Sequence, residues 1–522
     1  MALTKFTLTC AILASMTSFL SGLHYNDLSS ETADFFMKSD EISRRKMENL
    51  FYFLIIFHSI ASLTAGTLSD LIGRKYSLIL SMIFFFLGSL VTSCLALNYV
   101  VFVTGCLLFA IGISFVQAVT PVYITELSPD STRGFLTTFP EVFWSIGYLF
   151  DNIFARFTSK KLFTWRLQLG LGTIPSFLLA LAMLLTLPES PGWLVTRGEL
   201  SEATRVLKKT SVSEEEAELR LGDIKLTAES KQSGWVGSWK KLLLHPSPSI
   251  RRALIAVVGL NFFRNSTGID AVNEYCSRLL AMAGVKNGED ILGVTSAVRL
   301  IQICIILTAG FLMDKIGRRP LLLASVAGMI LFLAGLGLGL TIAYQSHKRI
   351  WAVDLSVAMA FLCIAFFSTG LGPVTWVYSS EAFPLRLRAQ GASMGAAVNL
   401  VTRGLTSLAF LELYGFITVG GTFLLFAGMA SVAWLFFYKL LSETHGKSLH
   451  EKEIRSCTYG VGTSAGAVLS KRDGHVAISK RFYGHEISSF DRKLLKRSAS
   501  FPVSFRPSSS LKNYFTSNTT QF

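Results

Sequence analysis

Charged residues are few for a chain of this length. Only 16% of the 522 residues are Asp, Glu, Lys or Arg, whereas a soluble domain carries about 25%. By contrast, 51% are hydrophobic, and the mean hydropathy is +0.48. A soluble protein needs more polar surface to cover its core, and a disordered chain contains fewer hydrophobic residues. The composition therefore excludes a soluble enzyme and a disordered chain, and it indicates an integral membrane protein.

Cysteine is also scarce and unclustered. The seven cysteines include Cys94, Cys106 and Cys304, which lie inside apolar runs. Because no CxxC pair or metal-ligand spacing occurs, neither a disulfide scaffold nor a zinc site is expected. The sequence also lacks a P-loop and a nucleophile–His–acid set. We therefore expect no enzyme activity, no metal and no cofactor, apart from a proton as a coupling ion.

The balance of charge is positive, with 49 Lys and Arg against 34 Asp and Glu and a formal net charge of +15. On a soluble protein this excess would suggest a nucleic-acid partner. On an apolar chain it indicates cytoplasmic segments that follow the positive-inside rule, so no nucleic-acid partner is expected. The tail from Ser442 onward holds 13 Lys and Arg and 6 Asp and Glu. We place this tail, the loop between the halves and both termini in the cytosol.

Apolar stretches of about 20 residues, enough to cross a hydrocarbon core of about 30 Å, recur along the chain. The sequence predicts an all-α membrane protein with twelve transmembrane helices in two six-helix halves. These helices are predicted over 6–23, 50–69, 76–97, 99–123, 135–157, 165–187, 250–283, 289–313, 320–343, 353–378, 388–411 and 415–441. Lys5 before the first apolar run also fits a signal peptide. The run continues to Leu23 without a convincing cleavage site, which favours a membrane span.

Polar segments divide the chain into four parts. The predicted parts are an N-terminal half (1–187), a cytoplasmic middle loop with short amphipathic helices (188–249), a C-terminal half (250–441) and a basic, Ser-rich tail (442–522). The tail has little apolar periodicity and is predicted to be largely disordered. Within it, Lys496–Pro502 fits a motif read by phosphoserine-binding proteins of the 14-3-3 type once Ser500 is phosphorylated. Attraction of the basic tail to anionic lipids is the competing interpretation.

Two sequence patterns recur after an interval of six helices. Gly66–Lys75 and Gly310–Pro320 share a Gly, an Asp and a basic Gly-Arg turn. Pro121–Gly134 is echoed by Ser380–Arg388. Repeats at this spacing are typical of a transporter that rocks one half against the other.

The charged residues associated with these helix ends form the predicted conformational latch. Glu126 and Arg133 offer one charge network at the end of the fourth helix, and Glu381 and Arg388 offer a matching network at the end of the tenth. A single basic motif would serve as a positive-inside anchor, but two matched copies favour ion pairs that break when the halves rock. The predicted latch residues are Asp70, Arg74, Glu126, Arg133, Glu189, Asp314, Arg318, Glu381 and Arg388.

Four motifs make the chain similar to a known family. Asp70–Lys75, Pro188–Leu194, Gly370–Trp376 and Glu443–Leu449 resemble the sugar-porter family of the major facilitator superfamily, and the resemblance extends from residue 4 to residue 455. The segments most similar to plant polyol and monosaccharide transporters are Phe135–Glu141, Thr267–Val272 and Trp376–Gly391. The resemblance implies a carrier for a small polyhydroxylated substrate that works by alternating access. It also implies a monomer in the lipid bilayer, with the plasma membrane as the default location.

The resemblance further implies a substrate site between the halves. Hydroxyl-rich ligands need amides and carboxylates for hydrogen bonds and an aromatic face against their C–H surface. The positions that match this site are Arg264, Asn265, Asp270, Glu274, Tyr275, Trp376 and Asn399. The family usually has a Gln-Gln pair at 264–265 and an aromatic residue at 274, so this chain departs from it at three positions.

Arg264 is the most unusual of these residues. An arginine at membrane depth costs at least about 2.5 kcal/mol unless it is paired or hydrated. We therefore expect Arg264 to pair with Asp270 or Glu274. The other interpretation is drift in a copy that no longer transports polyols well.

A second departure concerns proton coupling. Proton-coupled members of the family carry an aspartate in the first helix and an arginine early in the fourth, and these positions hold His24 and Cys106 here. Joint loss avoids leaving one buried charge unpaired. Three interpretations stay open: an uncoupled facilitator, coupling moved to His24 or Asp151, or a non-transporting sensor or regulator that keeps the fold.

Overall fold

A computed structural model describes residues 3–24, 44–95, 99–158, 164–228, 239–285, 288–345 and 350–443. All the regular secondary structure in these ranges is helical. The phosphoserine motif at Ser500 lies outside the described residues and stays a prediction.

The N-terminal half is built from long helices and shorter pieces. Its helices are α1 (Lys5–Leu23), α2 (Arg44–Ile72), α3 (Arg74–Leu90), α4 (Tyr99–Leu127), α5 (Arg133–Thr137), α6 (Phe139–Thr158), α7 (Thr164–Gly170) and α8 (Thr173–Thr186). A π-helical turn, Val91–Leu95, extends α3. Thr4 caps α1 by accepting a hydrogen bond from the N–H of Thr7 at 3.2 Å. Glycines at 22 and 147 let α1 and α6 touch backbone to backbone, because a Cβ at either position would overlap the facing main chain.

The described residues of the segment between the halves form three short α-helices and a π-helical turn, Lys240–Leu244. The α-helices are α9 (Pro191–Arg197), α10 (Leu200–Thr210) and α11 (Glu214–Ala228). The buried positions of α10, namely Ala203, Val206, Leu207 and Thr210, form one stripe at helical spacing. Thr7 of α1 donates from its hydroxyl to the carbonyl of Thr210 at 3.1 Å. The stripe therefore packs α10 onto the N-terminal half near the start of the chain.

The C-terminal half repeats the pattern of long and broken helices. Its helices are α12 (Pro248–Ser266), α13 (Ile269–Met282), α14 (Gly288–Ile316), α15 (Arg318–Gln345), α16 (Ile350–Thr369), α17 (Leu371–Glu381), α18 (Arg388–Phe416) and α19 (Val419–Leu440). Gly268, with φ +75°, separates α12 from α13, and a Cβ there would overlap the Phe426 ring. Each predicted span thus coincides with a helix or a pair of helices.

Apolar character is not shared equally among the spans. In the described ranges, nine helical stretches are long and apolar enough to cross a membrane. The remaining predicted spans correspond to α6, to α12 with α13, and to α18, which carry more polar and charged residues. Polar residues at membrane depth face the interior of a bundle rather than lipid. These three spans are therefore the ones expected to line an internal polar site.

Each half has its own hydrophobic core. Tyr123 belongs to the core of the N-terminal half and Phe423 to that of the C-terminal half. Trp376 and Ala396, which come from α17 and α18, pack into the core of the N-terminal half. The two halves therefore meet along α17 and α18.

Candidate functional site

A polar cluster joins the two halves inside the bundle. Arg264 on α12 donates from Nη2 to Glu141 Oε1 on α6 at 2.7 Å, and Trp376 on α17 donates from Nε1 to Glu141 Oε2 at 2.8 Å. The guanidinium carbon of Arg264 lies 5.0 Å from the Trp376 ring centroid and 5.6 Å from that of Phe367. Both carboxylate oxygens are bonded, and the cation lies over aromatic rings. We call Glu141, Arg264 and Trp376 the central cluster.

The partner of Arg264 differs from the expected one. The sequence predicts an ion pair with Asp270 or Glu274, and this expectation is wrong, because Arg264 pairs with Glu141. The break at Gly268 places Arg264 and the two expected carboxylates on separate helices, so they do not share a continuous face. Since Glu141 belongs to the other half, the ion pair connects the halves rather than two turns of one helix.

The residues after the break divide between two environments. Asp270 Oδ2 lies 3.5 Å from Nε of Arg403 on α18. Glu274, one turn further along α13, is exposed and shares the face of Asp270. Tyr275 is buried instead in the aromatic core, with its ring centroid 5.7 Å from that of Phe423. The structure therefore brings Asp270 and Glu274 to one polar surface and places Tyr275 away from it.

Two predicted asparagines lie between α12 and α18. Asn265 Nδ2 donates to the backbone carbonyl of Asn399 at 2.7 Å, and both side chains are buried. Asn399 Nδ2 has no hydrogen-bond partner among the described residues. An unsatisfied buried donor costs about 1–3 kcal/mol. A ligand hydroxyl that accepts from this amide would recover that free energy.

The two predicted proton-coupling residues have contacts within the N-terminal half. His24 ends α1 and is buried, with its ring 4.6 Å from Phe109 and 6.3 Å from Phe85 between centroids. Asp151 on α6 is fully buried and accepts a hydrogen bond from Gln168 Nε2 at 2.7 Å. His24 therefore lies in an aromatic pocket, whereas the Asp151 carboxylate has an amide donor. Their coupling role stays a prediction.

The first latch motif is built around a turn at Gly73, where φ is +101°. Arg74 binds Asp70 at 2.8 Å and Glu126 at 3.3 Å. The Glu189 carboxylate accepts from the N–H of Arg74 at 2.8 Å and from that of the next residue at 3.2 Å. Burial raises the pKa of the Glu189 carboxyl from its usual range, and these N–H donors oppose the effect. One turn of backbone thus holds an anion and a cation together.

The second motif repeats this geometry around Gly317, where φ is +104°. Arg318 lies 3.4 Å from Asp314 and 3.3 Å from Glu381. The Glu443 carboxylate accepts from the N–H of Arg318 and from that of the next residue, both at 3.0 Å. Glu443 is therefore the structural counterpart of Glu189 at the end of the C-terminal half.

Contacts between the halves close the end of the bundle that contains Asp70 and Asp314, which we call the latch face. The Asp314 carboxylate accepts from the N–H groups of Gly134 and Phe135 in the other half, at 3.0 and 2.8 Å. Gln390 of α18 donates from Nε2 to Asp70. In the described part of the chain, each repeated aspartate thus binds its own half and the opposite one.

Two further contacts across the latch face are buried. Thr125 and Ser380 share a hydrogen bond between their hydroxyls at 2.7 Å. Arg388 Nη1 lies 3.6 Å from Glu126 Oε1. This partner differs from the expected one, because the sequence grouped Arg388 with Glu381 and Glu126 with Arg133. Arg388 therefore lies near a carboxylate of the other half, whereas Arg133 binds Asp130, one turn before it in its own motif.

The geometry defines a class of protein: a membrane carrier in which two helical halves enclose a polar site and meet at a repeated charged latch. The profile of the family described as "Sugar (and other) transporter" matches residues 7–454. The chain belongs to that family. It is therefore a multi-pass membrane transporter and not an enzyme, as the sequence predicts.

Known proteins similar to the chain support this placement. Polyol transporter 5 of Arabidopsis thaliana is 44% identical over 468 residues, which cover 86% of each chain. The proton myo-inositol cotransporter of Homo sapiens is 28% identical over 496 residues, which cover 78% of this chain and 76% of the relative. Among solved structures, the proton:xylose symporter XylE superposes with a TM-score of 0.73 at 23% identity, over 86% of this chain and 98% of that one. This likeness confirms the predicted fold of the major facilitator superfamily.

Sequence reasoning missed several residues of these networks as ion-pair or hydrogen-bond partners, among them Glu141, Arg403 and Glu443. Glu141 and Arg403 are charges inside predicted spans, and such charges need a counter-charge. A search for partners among all intramembrane charges would have suggested both. Glu443 is signalled by similarity between Leu-Pro-Glu-Ser, residues 187–190, and Leu-Ser-Glu-Thr, residues 441–444. The shared Leu-x-Glu pattern, six spans apart, marks it as the repeat of Glu189.

Proposed function

We propose that the protein carries a polyol or monosaccharide across the membrane by alternating access. The observation that carries the proposal is the central cluster, because it places an aromatic ring and an ion pair between two halves that are closed at one end. A buried amide of the C-terminal half, that of Asn265, lies beside Arg264 in the sequence. Such a site offers the hydrogen bonds and the flat apolar face that a polyhydroxylated ligand requires. The relatives named as polyol transporters support the same substrate class.

The latch face is proposed to be cytoplasmic. The start of α1 contacts the middle segment through Thr7, and the end of the C-terminal half reaches the latch through Glu443. The first helix therefore begins, and the last helix ends, on the same side as the basic segments. The positive-inside rule places that side in the cytosol. The closed latch then corresponds to an outward-facing carrier, and the plasma membrane is its proposed location.

Substrate contacts are proposed for the predicted residues that face the polar interior: Arg264, Asn265, Asp270, Glu274, Trp376 and Asn399. Trp376 would supply the ring, and Asn399 the unsatisfied amide donor. The ion pair occupies hydrogen-bonding groups that a neutral sugar would otherwise use, so a bound sugar must share Glu141 with Arg264.

The same ion pair favours a second candidate function. Because it bridges the halves through Arg264 and Glu141, it opposes their separation, as expected of a sensor or regulator that binds a sugar without moving it. A sensor would retain the site and the latch but show no transport.

Uptake measurements separate these functions. A host deficient in sugar uptake expresses the wild type, Asn399→Ala and the control Arg205→Gln, in which an exposed ion pair with Glu202 is lost. Radiolabelled glucose, sorbitol, mannitol and inositol are supplied at pH 5.5 and 7.5, with and without a protonophore. We expect uptake of at least one compound, a higher KM for Asn399→Ala and no change for Arg205→Gln.

Three results would revise the proposal. Uptake insensitive to pH and protonophore identifies an uncoupled facilitator. Ligand-induced thermal stabilisation of the purified protein without uptake identifies a sensor. Neither uptake nor stabilisation with any of the four compounds contradicts a polyol or monosaccharide substrate.

A further inference from the structure

A histidine lies where the halves pack together, between α2 and α18. These helices run antiparallel, since Ser62 donates from its hydroxyl to the carbonyl of Ser393 at 3.2 Å, while a Cβ at Gly404 would overlap the side chain of Ile55. His58 lies on α2 between these two contacts and is half-buried. The ring is therefore at an interface that must rearrange if the halves rock.

The hydrogen bonds around His58 favour one ring nitrogen as the proton acceptor. The Ser114 hydroxyl on α4 lies 2.7 Å from the carbonyl of Ala110 and 3.0 Å from that of His58. The same hydroxyl oxygen lies 3.1 Å from Nδ1 of His58. In the tautomer that satisfies all three contacts, the hydroxyl donates to a carbonyl and accepts from the N–H of Nδ1, which leaves Nε2 as the basic atom.

The charged group that faces His58 from the other half is Arg403. It precedes Gly404 on α18, next to the contact with Ile55, and its charge acts on the imidazole. Two carboxylates on α13 act on this cation. Asp270 pairs with Arg403, and Glu274 interacts electrostatically with Asp270 and Arg403. The histidine therefore faces a cation whose counter-ions belong to the C-terminal half.

In the described ranges, the other helices packed against α2 bring no further charge to the level of His58. On α4, the titratable residues of the corresponding stretch are Cys106 and, two turns earlier, Tyr99. On α3, the charged residues are Arg74 and Lys75 in its first turn, which belongs to the latch face. Within the described residues, Arg403 is the ionic neighbour that protonation of His58 affects most directly.

We infer that His58 is a proton-binding site that links pH to the separation of α2 from α18. A proton on Nε2 creates an imidazolium opposite the Arg403 guanidinium, and like charges in a medium of low dielectric repel strongly. Protonation favours the state in which α2 and α18 separate at this depth, and loss of the proton lets them close.

The test uses His58→Asn, which keeps a donor near the Ser114 hydroxyl but does not titrate. Hydrogen–deuterium exchange is measured on purified full-length protein in nanodiscs at pH 6 and pH 8, and wild type and variant are compared at each pH. We expect the backbone amides of peptides covering 50–60 and 398–408 to exchange about threefold faster in wild type than in the variant at pH 6. At pH 8 we expect equal rates. The matched control His245→Asn, outside the spans, behaves as wild type.

The exchange measurement needs no substrate, so it tests the inference even if the proposed function fails. Equal exchange of wild type and His58→Asn at both pH values overturns it. If His58→Asn does not yield folded protein, Ser114→Ala replaces it. This variant lacks the hydroxyl beside Nδ1, so the pH at which its exchange rises must differ from that of wild type. An unshifted midpoint also overturns the inference. Where uptake is present, the proposed function adds a further consequence, since the pH dependence of its rate is lost in His58→Asn.

Discussion

The buried ion pair between Arg264 and Glu141 makes each charge depend on the other. Removing one partner of a buried pair leaves an uncompensated charge and costs about 3–5 kcal/mol in soluble proteins, whereas removing both is often neutral. We expect Arg264→Gln and Glu141→Gln each to lower the thermal unfolding temperature clearly, and the double variant to restore most of the loss. Heating followed by size-exclusion chromatography of detergent-solubilised protein measures this cycle.

The same cycle tests the effect of the ion pair on transport. The double variant has two neutral amides, which leave hydrogen-bonding groups for a sugar, so its polyol uptake should equal or exceed that of wild type. Arg205→Gln, which breaks an exposed pair worth about 0.2–1 kcal/mol, is the control and should change neither readout. Additive losses in the double variant would show that Arg264 and Glu141 do not stabilise each other.

At the scale of elements, the turns that join α2 to α3 and α14 to α15 depend on glycines at positive φ, Gly73 and Gly317. A residue with a side chain in such a sparsely populated conformation costs about 1–3 kcal/mol. A Cβ at Gly73 would also overlap the Glu189 carboxylate, whereas a Cβ at Gly198, at φ +86°, meets none of the described residues within 4 Å. Gly73→Ala should therefore destabilise the protein more than Gly198→Ala and reduce uptake, while Gly198→Ala shows only the cost of backbone strain.

Thermal stability and initial uptake rate, normalised to surface abundance, measure both variants. Equal effects of the two substitutions would mean that contact with Glu189 adds nothing to the turn. A partial recovery in Gly73→Ala combined with Glu189→Ala would support the steric origin of the difference.

The sequence predicts the helices well because their signal is local. Apolar runs of membrane-spanning length predict the spans, and the Gly-Arg turns predict where the charged helix ends lie. The break at Gly268 does not follow from hydropathy. Short interruptions such as this one depend on φ and on the neighbouring Phe426 ring, which hydropathy does not describe.

The candidate site is less predictable because its partners come from distant parts of the chain. The composition of α12 and α13 indicates that Arg264 needs an anion, and the carboxylates nearest to it along the chain are Asp270 and Glu274. Only the packing of α6 against the C-terminal half brings the Glu141 carboxylate within 2.7 Å of Arg264. Likewise, the latch arginines are predictable as a group, whereas their partners depend on how the two halves dock.

At the scale of the whole molecule, the two halves are held together at the latch face by equivalent parts. Glu189 and Glu443 each bind the backbone at the start of the helix that follows a repeated turn. Asp70 and Asp314 each reach the opposite half. Equivalent motifs in both halves allow the latch to open as a unit, since the contacts that break on one side have counterparts on the other.

A disulfide across the latch face tests whether this opening is needed for transport. The hydroxyls of Thr125 and Ser380 lie 2.7 Å apart, buried and in opposite halves. In Thr125→Cys/Ser380→Cys, oxidation should join the halves, and we expect uptake to fall to background and to return with a reductant. The matched control is Ser89→Cys/Thr173→Cys, whose hydroxyls lie 2.6 Å apart within the N-terminal half. Oxidation of this control should leave uptake intact, because a rigid half still rocks. Full uptake by the oxidised Thr125→Cys/Ser380→Cys variant, with the cross-link verified by mass spectrometry, would contradict alternating access through this face.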